Sequence, residues 1–171
     1  MDRIPKDIIY FIPRYTSNGD SVEMLLLSGE KKVFEFSIRK FTKNLYSLYA
    51  IDEKTLKKLI SNKIGQKNIL PVILPDATFI PVKIRRPLIK TDPTNGFVNM
   101  VQIFRIDKKE DNEFEILFKC GAVLKCIGSP KNFKRRITSA SILSDYFSNI
   151  WAGGVSQIKE ECELENIYKM E

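Results

Sequence analysis

Hydrophobic and polar positions follow two different periods along this chain, and the switches between them mark its elements. Ile8 to Ile12 is a short, apolar, β-prone run ending at Pro13. Thr16 to Asp20 is dense in turn formers and Val22 to Leu27 is apolar again, which predicts a β-hairpin. A second turn at residues 28–30 leads to Val33–Phe36 as a third strand of the same meander. Ser37 is placed to cap a helix in which Ile38, Phe41, Leu45 and Leu48 recur at helical spacing, with a continued strand as the alternative. Asp52 caps a second helix, Glu53 to Ile64, which Gly65 stops; Leu56, Leu59, Ile60 and Ile64 share one side, and lysines occupy the rest.

From Asn68 the pattern turns β-like. Ile69–Leu74 and Thr78–Ile84 flank a Pro75-Asp76 turn, and Pro71 and Pro81, which cannot donate to a ladder, predict edge strands or extended connections. A loop carrying Lys90 leads to Phe97–Ile106. That run is apolar on both sides, with Val98, Met100, Phe104 and Ile106 facing one way and Val101 and Ile103 the other, so one central strand is predicted. A charged hairpin loop, Asp107–Asn112, precedes Glu113–Lys119, where Phe114, Ile116 and Phe118 alternate inward. Cys120-Gly121 stands where a two-residue turn is expected. Pairing across it sets Phe118 opposite Val123 and Phe114 opposite Ile127, with Cys120 exposed.

Ser129-Pro130 is a helix start, Ser as N-cap and Pro at the first helical position. Phe133, Ile137, Ala140, Leu143, Phe147 and Ile150 then form a core-facing stripe until Trp151-Ala-Gly-Gly154 breaks it. Val155 to Tyr168 carries the spacing of a short amphipathic helix through Ile158, Cys162 and Ile167. The predicted class is α+β: mainly antiparallel β-sheet with a long C-terminal helix and one or two shorter helices. Residues 1–150 form a single body and residues 151–171 an acidic C-terminal tail.

Composition narrows the chemistry. At 171 residues and 43% hydrophobic, the chain can bury a core of its own. Two lysines against five glutamates leave the tail at −3, so the +7 of the whole becomes +10 in the preceding 150 residues. Such a tail is either a solvated end or a segment with a separate purpose. No stretch has the length of a membrane span, the N-terminus lacks the apolar segment of a signal peptide, and three cysteines at uneven spacing suit a reducing compartment; a cytoplasmic protein is expected. With no histidine, imidazole-based nucleophiles and zinc sets are excluded, and no glycine-rich phosphate loop is present. A non-enzymatic protein without cofactor or metal follows, although lysine- or carboxylate-based chemistry stays open.

Two basic clusters stand out, Lys83-Ile-Arg-Arg-Pro-Leu-Ile-Lys90 and Lys131-Asn-Phe-Lys-Arg-Arg136. Interleaved apolar residues predict charges held at fixed spacing by the fold, as a polyanion-binding surface requires. Lys131, Lys134, Arg135 and Arg136 crowd the start of a helix, where cations oppose the macrodipole. Either an anion arrives there or the surface is simply basic.

The run from Ile69 to Phe147 resembles the ComK family of competence transcription factors. The likeness rests on Leu70-Pro-Val-Ile73 with Phe79-Ile-Pro81, Gly96-Phe-Val98, the Phe118-Lys-Cys-Gly121 hairpin, and Asn132-Phe-Lys-Arg-Arg136 before Leu143 to Phe147. Ile9-Tyr-Phe-Ile-Pro13 extends it to residues 8–147. The resemblance implies a transcription regulator, an activator of competence genes, that binds AT-rich double-stranded promoter DNA largely through the minor groove as a homo-oligomer. Transcription machinery or a proteolytic adaptor would be further partners, and no membrane is involved. Combined with the electrostatics of narrow A-tract grooves, it makes Arg85 and Arg86 candidates for groove insertion and Lys83, Lys90, Lys131, Lys134, Arg135 and Arg136 candidates for phosphate contacts. The alternative is a module binding RNA or an acidic protein surface, such as a phage-type inhibitor.

Overall fold

The computed structural model describes residues 5–168, with side chains placed as far as Gly153. Strands β1 (Ile8–Thr16), β2 (Gly19–Leu26) and β3 (Lys31–Phe34) form a meander, followed by helices α1 (Ile38–Leu48) and α2 (Glu53–Ile64). Strands β4 (Val72–Leu74), β5 (Ala77–Lys83) and β6 (Asn95–Asn99) complete a six-stranded antiparallel sheet of order β3-β2-β1-β6-β5-β4. A second antiparallel sheet, β7-β8-β9, comprises Ile103–Glu110, Glu113–Phe118 and Val123–Ile127. Helix α3 (Pro130–Tyr168) ends the described chain. The molecule is thus α+β, mainly antiparallel sheet with a long C-terminal helix and two shorter ones. Among the described residues, no helix is long and apolar enough to cross a membrane.

Local chemistry sets the helix ends. The Ser37 hydroxyl accepts from the Lys40 amide, the Asp52 carboxylate accepts from the Thr55 amide at 2.8 Å, and Gly65 closes α2 at φ 68°.

The large sheet is apolar on both faces because each face is covered. On one, Phe11, Val22, Met24 and Phe79 pack under Ile38, Phe41 and Leu45 of α1 and Leu56 and Ile60 of α2. On the other, Ile80, Val82 and Val98 meet Phe114, Ile116 and Phe118 of the small sheet and Phe133 of α3. Helix α3 serves both layers, giving Phe133 and Ala140 to one core and Leu143 and Phe147 to the other. It reaches across the β4–β5 border, where Thr78 bonds Ser144 at 3.1 Å. At the opposite border, β3 is four residues long, with Lys31, Lys32 and Val33 exposed.

Several expectations change. β1 continues through Pro13, which pairs with Val22. Pro81 lies inside β5 opposite Phe97, but β4 pairs with β5 only as far as Phe79, so the side of Pro81 that lacks a donor meets no strand. The run predicted as one central strand divides. β6 is central, between β1 and β5, but ends at Asn99, whose side-chain oxygen accepts from the Val101 amide and whose amide nitrogen donates to the Ile8 carbonyl at 2.9 Å. A 3-10 turn over Met100–Gln102 then redirects the chain, leaving β7 at the edge of the small sheet and Phe104 65% exposed.

The hairpin at Cys120 holds three loop residues instead of two. Gly121 donates to the Phe118 carbonyl at φ 91°, and Phe118 pairs with Ala122. The register moves by one, placing Leu117 opposite Val123 and Phe114 opposite Cys126, so Leu124 and Cys126 point inward and Val123 is exposed. The charged loop shrinks to Asp111-Asn112, with Asn112 at φ 65°. Cys120 is exposed and Cys126 buried, both free; Cys162 lies outside the described side chains. Finally, α3 runs unbroken through Gly153 and Gly154 to Tyr168. Glycine lowers helix stability by about 1 kcal/mol relative to alanine without forbidding the conformation.

Candidate nucleic-acid interface

The eight predicted cations separate into three groups. Arg85 is built into the fold: its Nε donates to the Pro93 carbonyl at 2.8 Å, one terminal nitrogen meets Asp20 at 2.9 Å, and the guanidinium lies 3.8 Å from the Tyr15 ring centroid. Its side chain is 13% exposed. Arg85 is therefore a brace tying the 84–94 loop to the β1–β2 hairpin, and it is withdrawn from solvent and from any groove. Arg136 is also engaged, half-buried and donating to the Pro81 carbonyl at 3.0 Å, the group that β4 leaves unpaired. Burial lowers its pKa, yet a guanidinium stays charged at neutral pH.

Arg86, Lys90, Lys131, Lys134 and Arg135 are exposed. On α3 the burial of Phe133 and Ala140 fixes the rotation of the helix, so Lys131, Lys134 and Arg135 face outward. With Lys108 of β7 they line a concavity of about 740 Å³ at the start of the helix, with no carboxylate in its lining. Lys83 is half-buried and pairs with Asn95 at the end of β5. Alternation puts it on the face of Pro81.

That face carries a second concavity, of about 750 Å³, which the sequence reading missed. Arg39, Lys40 and Lys43 of α1 and Lys57 and Lys67 of α2 and its exit line one side; Asp92 to Asn95 and Phe97 form the wall opposite. Its two carboxylates are occupied. Glu53 holds Lys57, and Asp92 accepts from the Leu88 and Ile89 amides and from the Tyr15 hydroxyl, contacts that hold its carboxyl below the usual range. The signal was legible, since residues 37–51 contain Arg39, Lys40 and Lys43 and no acid.

A narrower cleft of about 240 Å³ lies between the two. It shares Ile69 and Pro81 with the α1–α2 concavity and Arg135 with the one on α3, and Gln66 and Asn132 add polar groups. Ile69 sits at this neck with φ 59°, a left-handed conformation that costs a β-branched residue about 1 kcal/mol or more. The three concavities make one basic track crossing the molecule, on which Arg39, Lys40, Lys43, Lys67, Lys131, Lys134 and Arg135 make no ion pair among the described residues.

Such an array of unpaired cations can hold a polyanion. The described residues hold no group of three or more acids and cysteines placed to bind a metal. No protein-family model matches the chain, and no curated protein or solved structure matches it.

Proposed function

We propose that this protein is a non-enzymatic, ComK-like transcription regulator that binds AT-rich duplex DNA, using the track for phosphates and the 84–94 loop at the minor groove. The observation that carries this reading is the track itself. Seven cations from α1, the α2 exit and α3 line neighbouring concavities whose acids are already engaged. A surface that was basic only for solubility would intersperse unpaired acids. Arg86, exposed on the loop beside the α1–α2 concavity, takes the groove role that the ion-paired Arg85 cannot fill. The likeness to the ComK family over residues 8–147 supplies the duplex and the AT preference.

A mobility-shift titration at two salt concentrations, against AT-rich duplex, GC-rich duplex and single-stranded RNA, tests the reading. The expected outcome is AT-preferring duplex binding whose log affinity falls against log salt with a slope of about −6 if all seven cations engage. Equal or better binding to the RNA assigns the track to RNA. Absence of binding to every nucleic acid overturns the reading and leaves an acidic protein as the partner.

A further inference from the structure

Leu88 and Ile89 are 77% and 63% exposed, and Leu88 is the most exposed large apolar side chain among the described residues. Single exposed apolar residues are ordinary. Here two adjacent ones follow Pro87 at the tip of a loop whose backbone is held from both sides. The Asp92 carboxylate gathers the Leu88 amide at 3.2 Å, the Ile89 amide at 3.0 Å and the Tyr15 hydroxyl. The Ile84 amide closes the loop base on the Thr94 carbonyl at 3.0 Å, and Arg85 anchors it to Asp20 and Pro93. A partly buried ion pair and a convergent carboxylate thus hold two aliphatic side chains out in water.

Charge flanks the tip on both sides. Arg86 stands two residues before Leu88 and Lys90 one after Ile89, both exposed. The loop's returning limb, Asp92 to Asn95, is the wall of the basic track. A partner whose phosphates occupy the track therefore meets an aliphatic point with a cation on either side. Proteins that enter the minor groove insert such apolar side chains between base steps, unstacking them and bending the duplex away. Pyrimidine–purine steps, TA among them, deform most readily.

Resting on the duplex-DNA reading, we propose that Leu88 and Ile89 are a wedge that enters the minor groove of bound duplex at a deformable step and kinks it, while Arg86 and Lys90 hold the backbones on either side. The wedge needs no rearrangement of the protein, because the loop is already braced.

The test uses the full chain and an AT-rich duplex carrying 2-aminopurine at a central TA step, with donor and acceptor dyes at the ends of a second copy. Wild-type protein raises 2-aminopurine fluorescence severalfold and shortens the end-to-end distance. The double variant Leu88→Ser, Ile89→Ser, its fold checked by circular dichroism, binds about tenfold more weakly with an unchanged salt slope and produces neither signal. Wild-type binding without unstacking or bending, or a variant that keeps both signals, overturns the wedge and leaves the phosphate-track reading standing. Failure of wild-type protein to bind duplex at low salt overturns both. Binding of wild type but not the variant to anionic phospholipid vesicles, with no unstacking of duplex, assigns the tip to a lipid surface and also overturns the wedge.

Discussion

Removing the Arg85 guanidinium leaves the partly buried Asp20 carboxylate without its partner and empties the space over the Tyr15 ring, so the change acts on the fold. Arg85→Ala is expected to cost about 2–3 kcal/mol of stability, below the full penalty for breaking a buried pair because Asp20 is 31% exposed. Arg86→Ala, at an exposed position, should stay within about 0.5 kcal/mol of wild type while weakening discrimination between AT-rich and GC-rich duplex. Urea midpoints and mobility shifts on the two variants check this, and a stable Arg85→Ala protein would refute the bracing role. The two neighbours look interchangeable in sequence because the groups that separate them are distant. Asp20 and Tyr15 lie on another hairpin, and nothing within the basic cluster announces them. Asp20 belonged visibly to a turn, but a turn former and an ion-pair partner have the same letter.

At the scale of elements, strands and helix caps were legible where local chemistry decides them. Ser37, Asp52, Gly65 and Ser129-Pro130 stand where the helix ends do. Connections were less legible. A Cys-Gly pair fits either a two- or a three-residue loop, but the two-residue register would turn Lys125 inward between Val123 and Ile127, whereas the three-residue loop turns Leu124 and Cys126 inward and leaves Lys125 exposed. The division at Asn99 was hidden for a different reason. Hydrophobicity continues across it, and the break is carried by one amide side chain bonding to Ile8, far back in the chain. The start of α3 offers a test whose two readouts have opposite signs. Replacing Lys131, Lys134 and Arg135 with Gln removes cations from the positive end of a helix dipole, which should raise stability by about 0.3–1 kcal/mol. The same variant should reduce the magnitude of the DNA-binding salt slope by about three units. A variant that binds DNA with the wild-type slope would show that this end of the track meets no phosphate. Half of the track escaped the sequence reading: the acid-free cluster Arg39, Lys40 and Lys43 was there to read, but Lys67 joins it only when α1 and α2 pack.

For the whole molecule, two covered layers imply a dry interior, and its titrating groups report on it. The Cys126 thiol is pushed up to about 12 by burial, and the Tyr10 hydroxyl also to about 12, by burial first and then by Glu23. Ordinary values are 9.0 and 10.0, so above these the unfolded chain has released protons that the folded chain retains. Folding stability therefore falls as pH rises, from about pH 9 for the thiol and about pH 10 for the phenol, by about 1.4 kcal/mol per pH unit for each group until the folded groups titrate. Cys126→Ala should delay the onset by about one pH unit, whatever it does to stability at pH 7, as urea midpoints between pH 8 and 11 under reducing conditions would reveal. An onset that does not move would place the thiol in contact with water. Because α3 crosses the β4–β5 side of the large sheet while β3 lies bare, backbone pairing with a second chain has one place to occur on that sheet among the described residues. A second copy added at β3 would close the open ladder of the large sheet on both chains, so that this sheet could extend no further than a pair.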